Sequence, residues 1–220
     1  MSTRFNNRVL VLGAGSVSQS VLPLLIEHLV DAKQITILDQ RDNRARVSDA
    51  IAKGATYVHD VITRENLDSQ LSKYLKAGDF LLDLAWNIDA NTILQWCYDH
   101  GVMYLNTSIE EWDPYEGGSN KHPLERTLYY RHMRMREMRS TWNKTGATAI
   151  VEHGANPGLV SHLVKKSLVD IASRALKEGK AAAGVEAALT DESYNDLAHL
   201  LNVKVIHISE RDTQVDRKST

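Results

Sequence analysis

The sequence predicts an α/β protein in which a doubly wound parallel sheet comes first and the start of a second α/β domain follows. Three observations support this prediction. Six short apolar runs alternate with segments of helical periodicity over about the first 155 residues. Two glycines, Gly13 and Gly15, separate the first apolar run from the first helical segment. After Asn156-Pro157-Gly158 the alternation ends, which divides the chain into residues 1–155 and residues 156–220.

Length and charge limit the classes of protein that remain. The chain has 220 residues, 43% hydrophobic and 25% charged, which is ordinary for a folded globular protein. The formal net charge is -2, so no excess of basic residues points to nucleic acid or an anionic membrane. We expect neither a signal peptide nor a membrane span. Cys97 is the single cysteine, which excludes an internal disulfide and a multi-cysteine zinc site and favours the cytoplasm.

The first three elements form a βαβ unit. Val9–Leu12 is a run of four apolar residues bounded by glycine, typical of a strand that is buried on both faces. Apolar residues then recur at helical spacing over about 17–30, and 34–38 is a second apolar run that is followed by Asp39. A strand, a helix and a strand within about 30 residues indicate parallel strands joined by a right-handed crossover.

The same alternation continues to the end of the first domain. Helices are predicted where apolar residues recur on one face, and strands where several apolar residues stand together. In chain order, the predictions are a helix at 43–53, a strand at 56–59, a helix at 66–75, a strand at 80–84, a helix at 90–100, a strand at 102–105, a helix at 124–143 and a strand at 148–151.

The remaining residues do not continue this pattern. A single helix is predicted at 159–178, an alanine-rich stretch follows it, and 203–208 has the composition of a strand. We expect this tail to be the beginning of a second domain that the chain does not complete.

The turn between the first strand and the first helix has the residues of a dinucleotide-binding site. Gly13-x-Gly15-x-x-Ser18 departs from the usual Gly-x-Gly-x-x-Gly pattern at its third position, but it follows a buried strand and opens a helix. The glycines permit a tight turn and let a pyrophosphate approach the backbone. The helix start at Ser16 and Val17 offers free amides and a positive dipole.

The nature of the dinucleotide depends on the end of the second strand. Asp39 is suited to accept hydrogen bonds from a ribose 2′-hydroxyl, and its charge would repel a 2′-phosphate, which favours NAD over NADP. Arg41 and Arg44 lie close behind it and keep NADP open as an alternative. The alternative to a dinucleotide site is an ordinary turn between a strand and a helix that binds no nucleotide.

The loop after the fourth strand is expected at the same edge, because ligands lie beyond the carboxyl ends of the strands in a doubly wound sheet. Ala85, Trp86 and Asn87 are therefore predicted to lie near the ribose or the nicotinamide. The alternative is that Trp86 only packs against the core and that Asn87 or Asp89 caps the next helix.

The loop after the fifth strand combines hydroxyls, acids and an aromatic ring. Thr107 and Ser108 would lie beside the nicotinamide. Glu110 and Glu111, with Trp112 next to them, suit an ammonium-bearing substrate through ion pairing and cation–π contact. A solvated acidic start of a helix explains the same residues without a ligand.

Polar residues also follow the sixth strand. Glu152, His153 and Asn156 would reach the same edge, whereas the alternative is a linking turn in which Asn156 caps the helix after Pro157. The histidines show no metal-ligand spacing, so no metal site is predicted. The basic helix at 131–139 is better explained as a solvated amphipathic helix than as an RNA-binding one.

Several of these motifs together resemble bacterial homospermidine synthases. The matching segments are GAGSVSQS at 13–20, DLAWN at 83–87, NTSIEEW at 106–112, NPGLVS at 156–161 and IHISERDTQ at 206–214. They spread over nearly the whole chain, so the resemblance is more specific than the nucleotide motif alone. These enzymes are similar to saccharopine dehydrogenases, which combine a Rossmann-type domain with a mixed α/β substrate domain.

The resemblance implies an enzyme that uses tightly bound NAD to make homospermidine from putrescine. NAD takes a hydride from putrescine, ammonia leaves as the oxidised carbon joins a second putrescine, and the hydride returns to the new imine. The positions that match NAD-binding ones are Gly13, Gly15, Asp39 and Thr107. Those that match catalytic or substrate-binding ones are Glu110, Asn156 and Glu210, with Glu111 as a further candidate for the substrate.

Members of that family are much longer than 220 residues. The resemblance therefore implies that residues 156–220 begin a substrate and dimerisation domain, that the chain is a fragment with little or no synthase activity of its own, and that the whole enzyme is a homodimer. Two alternatives remain open. One is an NAD(P)-dependent reductase like saccharopine dehydrogenase or carboxynorspermidine dehydrogenase, although an amino-acid substrate would require an arginine where these loops offer acids. The other is a non-catalytic module that binds NAD or a partner.

Overall fold

The structure, a computed structural model, describes residues 4–113, 115–116 and 121–211. The chain divides into two compact units, Met1–Gly154 and Ala155–Thr220. Residues 212–214, the end of the last segment that resembles homospermidine synthases, lie outside the described residues. Within the described ranges, no helix is long and apolar enough to cross a membrane.

The first unit is built on one parallel sheet with the strand order β3-β2-β1-β4-β5-β6. The strands are β1 Val9–Leu12, β2 Ile35–Asp39, β3 Thr56–His59, β4 Phe80–Asp83, β5 Met103–Asn106 and β6 Ala149–Ile150. The chain starts in the middle, builds outward to β3 and then returns to the other side of β1. The strand order therefore reverses between β1 and β4, where doubly wound proteins bind ligands. The predicted doubly wound fold is confirmed.

Helices cover both faces of this sheet. They are α1 Ser16–His28, α2 Ser48–Ala52, α3 Leu67–Tyr74, α4 Ala90–His100 and α5 Leu128–Ser140. Leu22 of α1 and Ala50 of α2 belong to the core on one face. Leu71 of α3, Ile93 of α4 and Met135 of α5 belong to the core on the other.

The central strand β1 shows why the sheet is buried on both sides. Successive side chains of a strand point to opposite faces. Val9 and Val11 accordingly pack in the core with α1 and α2. Leu10 and Leu12 pack in the core with α3, α4 and α5. Both faces need apolar residues, which explains the unbroken apolar run in the sequence.

Two predicted helices are divided in the structure. The helix predicted at 43–53 is a 3-10 turn at Arg44–Val47 followed by α2, and the one predicted at 124–143 is a 3-10 turn at Pro123–Arg126 followed by α5. Thr127 separates the 3-10 turn at Pro123–Arg126 from α5. Its hydroxyl accepts a hydrogen bond from the Tyr130 amide at 3.3 Å and caps α5.

The six apolar runs lead us to expect six buried strands, and this expectation is wrong for the two edge strands, β3 and β6. The residues of β3 are exposed or half-buried, and both residues of β6 are exposed. An edge strand has a neighbouring strand on one side only, and the residues of β3 and β6 are not fully buried, so neither strand needs a continuous apolar run.

The described part of the second unit is helical. Its helices are α6 Leu159–Lys177, α7 Val185–Thr190 and α8 Tyr194–Leu200, which bury Leu168, Ala172, Val185, Ala188 and Leu197 together. The prediction of a strand at 203–208 is wrong, since these residues form no strand. A strand needs a neighbour for its backbone groups, and residues 155–211 contain no other strand to supply one.

Candidate functional site

Strand register brings the predicted loops to one edge of the sheet. Leu12 at the end of β1 pairs with Asp83 at the end of β4, and Asp83 pairs with Asn106 at the end of β5. On the other side, Leu38 of β2 pairs with Leu12, which places Asp39 just beyond. The glycine loop, the loop after β4 and the loop after β5 therefore lie side by side.

Gly13 requires a glycine for two reasons. Its φ is +88°, a conformation that L side chains rarely adopt. A Cβ at this position would also lie 2.8 Å from the Leu84 carbonyl oxygen. Glycine thus allows the backbones of the loops after β1 and β4 to touch.

Gly15, in contrast, faces open space. A Cβ added there would meet no heavy atom of the described residues within 4 Å. Gly15 is also the N-cap of α1, and in the ranges that the structure describes no side chain caps this helix. Uncapped amides beside an open space suit an anion such as a pyrophosphate. Ser18 takes the place of the third glycine, where it is fully buried and donates its hydroxyl to the Gly13 carbonyl oxygen at 2.6 Å.

Asp39 holds the glycine loop in place. Its Oδ2 accepts hydrogen bonds from the Ala14 amide at 2.6 Å and from Asn43 Nδ2 at 3.1 Å, and its Oδ1 accepts one from the Arg41 amide at 2.7 Å. A carboxylate has about four acceptor positions, so one on Oδ1 remains for a ribose hydroxyl. The Arg44 guanidinium lies over the Tyr57 ring, 5.3 Å from its centroid.

The loop after β4 presents an aromatic ring and an unused acceptor. Trp86 is 63% exposed, so it does not serve merely as core packing. Asn87 adopts a positive φ of 61°, and its buried Oδ1 finds no donor in the described part of the chain. Asp89, as the alternative interpretation of this loop predicts, caps α4 by accepting a hydrogen bond from the Thr92 amide at 2.8 Å.

The two acids after β5 have different surroundings. Glu111 lies 3.4 Å from an Arg131 nitrogen and 3.5 Å from an Arg134 nitrogen, both on α5. Glu110 accepts a hydrogen bond from the Ser108 hydroxyl at 3.0 Å and has no guanidinium partner among the described residues. Glu110 is therefore the acid whose charge remains available to a cation. Thr107, on the same loop, is partly exposed.

Sequence reasoning missed a buried polar cluster beneath these loops. The Tyr104 hydroxyl donates to Asp83 Oδ2 at 2.9 Å, and Asn106 Nδ2 donates to the Tyr104 oxygen at 2.9 Å. Burial raises the pKa of the Asp83 carboxyl to about 7 and that of the Tyr104 hydroxyl well above its usual value. The available signal was the polar residue that ends each of β4 and β5 after an apolar run.

The cluster continues to the loop after β6. Asn106 Oδ1 accepts a hydrogen bond from the Glu152 amide at 2.7 Å, and the Asn106 carbonyl accepts one from the His153 amide at 2.9 Å. The Glu152 carboxylate pairs with the His132 ring on α5. Asn106 thereby joins the loops after β5 and β6.

Asn156 and Glu210 belong to the second unit, where both are exposed. The alternative interpretation of Asn156 as a helix cap is wrong, because Gly158 is the N-cap of α6. The structure thus brings together the predicted residues of the first unit, while Asn156 and Glu210 lie on a separate unit.

Comparison with known proteins identifies the first unit. The family model for the saccharopine dehydrogenase NADP binding domain matches residues 9–150, which include the sheet and the loops after β1, β4 and β5. The chain belongs to this family.

The chain is also similar to homospermidine synthases, as the sequence motifs predict. It is 31% identical to the homospermidine synthase of Blastochloris viridis and 32% identical to that of Mesorhizobium japonicum, in each case over 96% of this chain. A crystal structure of homospermidine synthase from Legionella pneumophila in complex with NAD matches 99% of this chain with 30% identity and a TM-score of 0.75. The chain spans 43% of the length of each of these relatives.

Proposed function

We propose that this chain binds NAD and forms the N-terminal, cofactor-binding part of a homospermidine synthase. The observation that carries the proposal is the similarity, over almost the whole chain, to a homospermidine synthase whose structure contains NAD. The geometry at the carboxyl ends of the strands supports it independently. A dinucleotide requires an open glycine loop, free amides at the start of a helix and an acid at the end of β2, and the described residues supply all three, since none of their side chains caps α1.

The residues at this edge fit the two halves of NAD. The pyrophosphate would lie on the backbone of Gly13 and Gly15 and on the amides of Ser16 and Val17. Asp39 would accept the ribose hydroxyl of the adenosine half. The nicotinamide half would then lie over β4 and β5, within reach of Ala85, Trp86, Asn87 and Thr107. The unpaired Oδ1 of Asn87 is an acceptor of the kind that a carboxamide or a ribose hydroxyl can satisfy.

In the proposed reaction, bound NAD would accept a hydride from the substrate and later return it. The protein must hold a cationic diamine beside it. Glu110 is the best placed acid, since it can pair with an ammonium group and stabilise iminium charge. Glu111 is a weaker candidate, because two guanidinium groups already oppose its charge. We assign Asn156 and Glu210 to catalysis from the second unit, on the resemblance alone.

A second candidate is an NADP-dependent reductase like saccharopine dehydrogenase. The matching family model is named for NADP, and Arg41 and Arg44 follow β2 where a 2′-phosphate would lie. Asp39 opposes this candidate because its carboxylate would repel that phosphate.

Calorimetry separates these candidates. We expect the chain to bind NAD more tightly than NADP, and putrescine to bind to the NAD-loaded chain. Tighter binding of NADP would favour the reductase, and no binding of either dinucleotide would contradict both. Little or no homospermidine should form with the 220-residue chain alone, because homospermidine synthases are more than twice as long. Measurable turnover by the pure chain would contradict this expectation.

Three further assignments remain proposals. We place the protein in the cytoplasm, we take residues 156–220 as the beginning of the substrate and dimerisation domain, and we expect the whole enzyme to be a homodimer with no nucleic-acid partner. Cell fractionation tests the location, and light scattering on the full-length protein tests the homodimer.

A further inference from the structure

Asp79 and Asp83 lie at the two ends of β4 and are both buried, but among the described residues only Asp79 has a cationic partner. Asp79, just before the strand, is fully buried and has a cation, because Arg8 Nε donates to its Oδ2 at 2.8 Å. Asp83, at the other end of the strand, is 6% exposed, and its donors are the Tyr104 hydroxyl at 2.9 Å and the Ala85 amide at 3.2 Å. In the ranges that the structure describes, no basic side chain pairs with Asp83. A buried carboxylate without a cation is costly, so a ligand that supplies positive charge would bind favourably there.

The place of Asp83 in the sheet indicates which ligand group lies above it. Asp83 is paired on one side with Leu12, which precedes the glycine loop, and on the other with Asn106. Asp39 draws the adenosine half of a dinucleotide toward β2, so the other half extends over β4 and β5. In oxidised NAD this half carries the positively charged nicotinamide ring, and in NADH the ring is neutral.

We propose that Asp83 selects the oxidised cofactor: its carboxylate is the counter-charge of the nicotinamide ring, and the site therefore binds NAD⁺ more tightly than NADH. This inference rests on the proposed function, since it needs a dinucleotide in the site. Tyr104 and Asn106 are positioning residues, because the Tyr104 hydroxyl holds the carboxylate and Asn106 holds Tyr104. The selection suits a reaction that begins with removal of a hydride from the substrate.

The groups that face Asp83 determine how this selection depends on pH. Tyr104 comes from β5, Cys97 from α4 and Glu110 from the loop after β5. Burial raises the pKa of Asp83 to about 7, the Tyr104 hydrogen bond lowers it, and the charge of Glu110 raises it. Below this pKa the carboxyl is neutral in the free protein and must release a proton to face the ring. Affinity for NAD⁺ should therefore rise with pH through this range, whereas affinity for NADH should not.

The test is calorimetry of the 220-residue chain with NAD⁺, NADH and ADP-ribose from about pH 5.5 to about pH 8.5, on both sides of that pKa. ADP-ribose lacks the nicotinamide and reports on the rest of the site. The ratio of NAD⁺ to NADH affinity should rise on the order of tenfold across this range, which corresponds to a lowering of the pKa of Asp83 by about one unit when the charged ring binds. This measurement needs no variant, so it does not depend on the folding of one.

Three variants sharpen the test. Asp83→Asn should hold the affinity ratio at its low-pH value throughout. Tyr104→Phe should shift the midpoint of the ratio to higher pH, because the hydrogen bond that lowers the pKa of Asp83 is lost. Tyr98→Phe is the matched control, since it removes a hydroxyl that bonds to the Lys144 backbone in the same unit, and it should leave the midpoint unchanged.

The outcomes separate the inference from the proposed function. A ratio that stays constant with pH in the wild-type chain, or that is the same in Asp83→Asn as in the wild type, overturns the selection by Asp83 while NAD binding stands. If the wild-type chain binds no dinucleotide, the proposed function fails and the inference fails with it.

Discussion

Replacing Gly15 by alanine should weaken NAD binding without weakening the fold. Gly15 has φ −81° and ψ −163°, an extended conformation that alanine adopts, and an added Cβ meets no atom of residues 4–113, 115–116 or 121–211 within 4 Å. Nothing in the described part of the chain opposes the methyl group. In the proposed complex, however, the methyl group occupies the space through which the pyrophosphate reaches the amides of α1.

The expected magnitudes follow from this geometry. A glycine-to-alanine change at a compatible φ and ψ stabilises by about 0.4–1 kcal/mol. Alanine is a poorer N-cap than glycine by a similar amount, so the two effects oppose each other and the free energy of unfolding should stay close to that of the wild type. A hydrogen bond to a charged group contributes about 1.5–3 kcal/mol, so the loss of one raises the Kd for NAD by about ten- to hundredfold.

Gly13→Ala is the matched comparison, because its φ is +88° and its Cβ would collide with the Leu84 carbonyl oxygen. We expect it to lower the free energy of unfolding by about 2–4 kcal/mol, from the left-handed conformation and the overpacking together. Urea unfolding followed by circular dichroism measures stability, and calorimetry measures NAD binding. If Gly15→Ala binds NAD as tightly as the wild type, the glycine loop is not the pyrophosphate site and the reasoning is refuted.

Further predictions concern the acids. Asp39→Asn should raise NADP affinity relative to NAD by about tenfold in calorimetry, because the charge that repels a 2′-phosphate is removed; an unchanged ratio would contradict the role of Asp39. Asp83→Asn should leave stability to urea at pH 4 close to the wild type and raise it at pH 8. Burial raises the folded-state pKa of this acid to about 7, so the wild type loses stability as pH rises between the unfolded and folded pKa values; a variant that is no more stable at pH 8 would argue against this. Glu110→Gln should weaken putrescine binding to the NAD-loaded chain about tenfold, whereas Glu111→Gln should mainly lower the melting temperature through its lost contact with Arg131. The reverse pattern would exchange their roles.

Much of the first unit could be predicted from residue patterns. Buried parallel strands need apolar residues on both faces, so β1, β2 and β4 appear as short apolar runs, and the helices between them keep their periodicity. The glycine loop is equally visible, because the open space at Gly15 and the left-handed turn at Gly13 are backbone requirements that few residue types meet.

Elements that depend on distant partners were less visible. The composition of 203–208 favours a strand, but the described part of its unit supplies no neighbouring strand, and these residues form none. The break at Thr127 is different, because it has a local cause that apolar spacing alone does not reveal: the Thr127 hydroxyl accepts a hydrogen bond from the Tyr130 amide and caps α5.

The sequence by itself determined the fold of the first unit, the dinucleotide loop and the group of polar residues at its edge, since each depends on local pattern. Only the tertiary structure decided how the acids at that edge differ. Glu111 lies beside two arginines of α5 while Glu110 does not, and Asp83 is buried beside Tyr104 with no cationic partner among the described residues. Charge and pKa depend on burial and on neighbours that are distant in sequence, and those exist only once the strands and helices have packed.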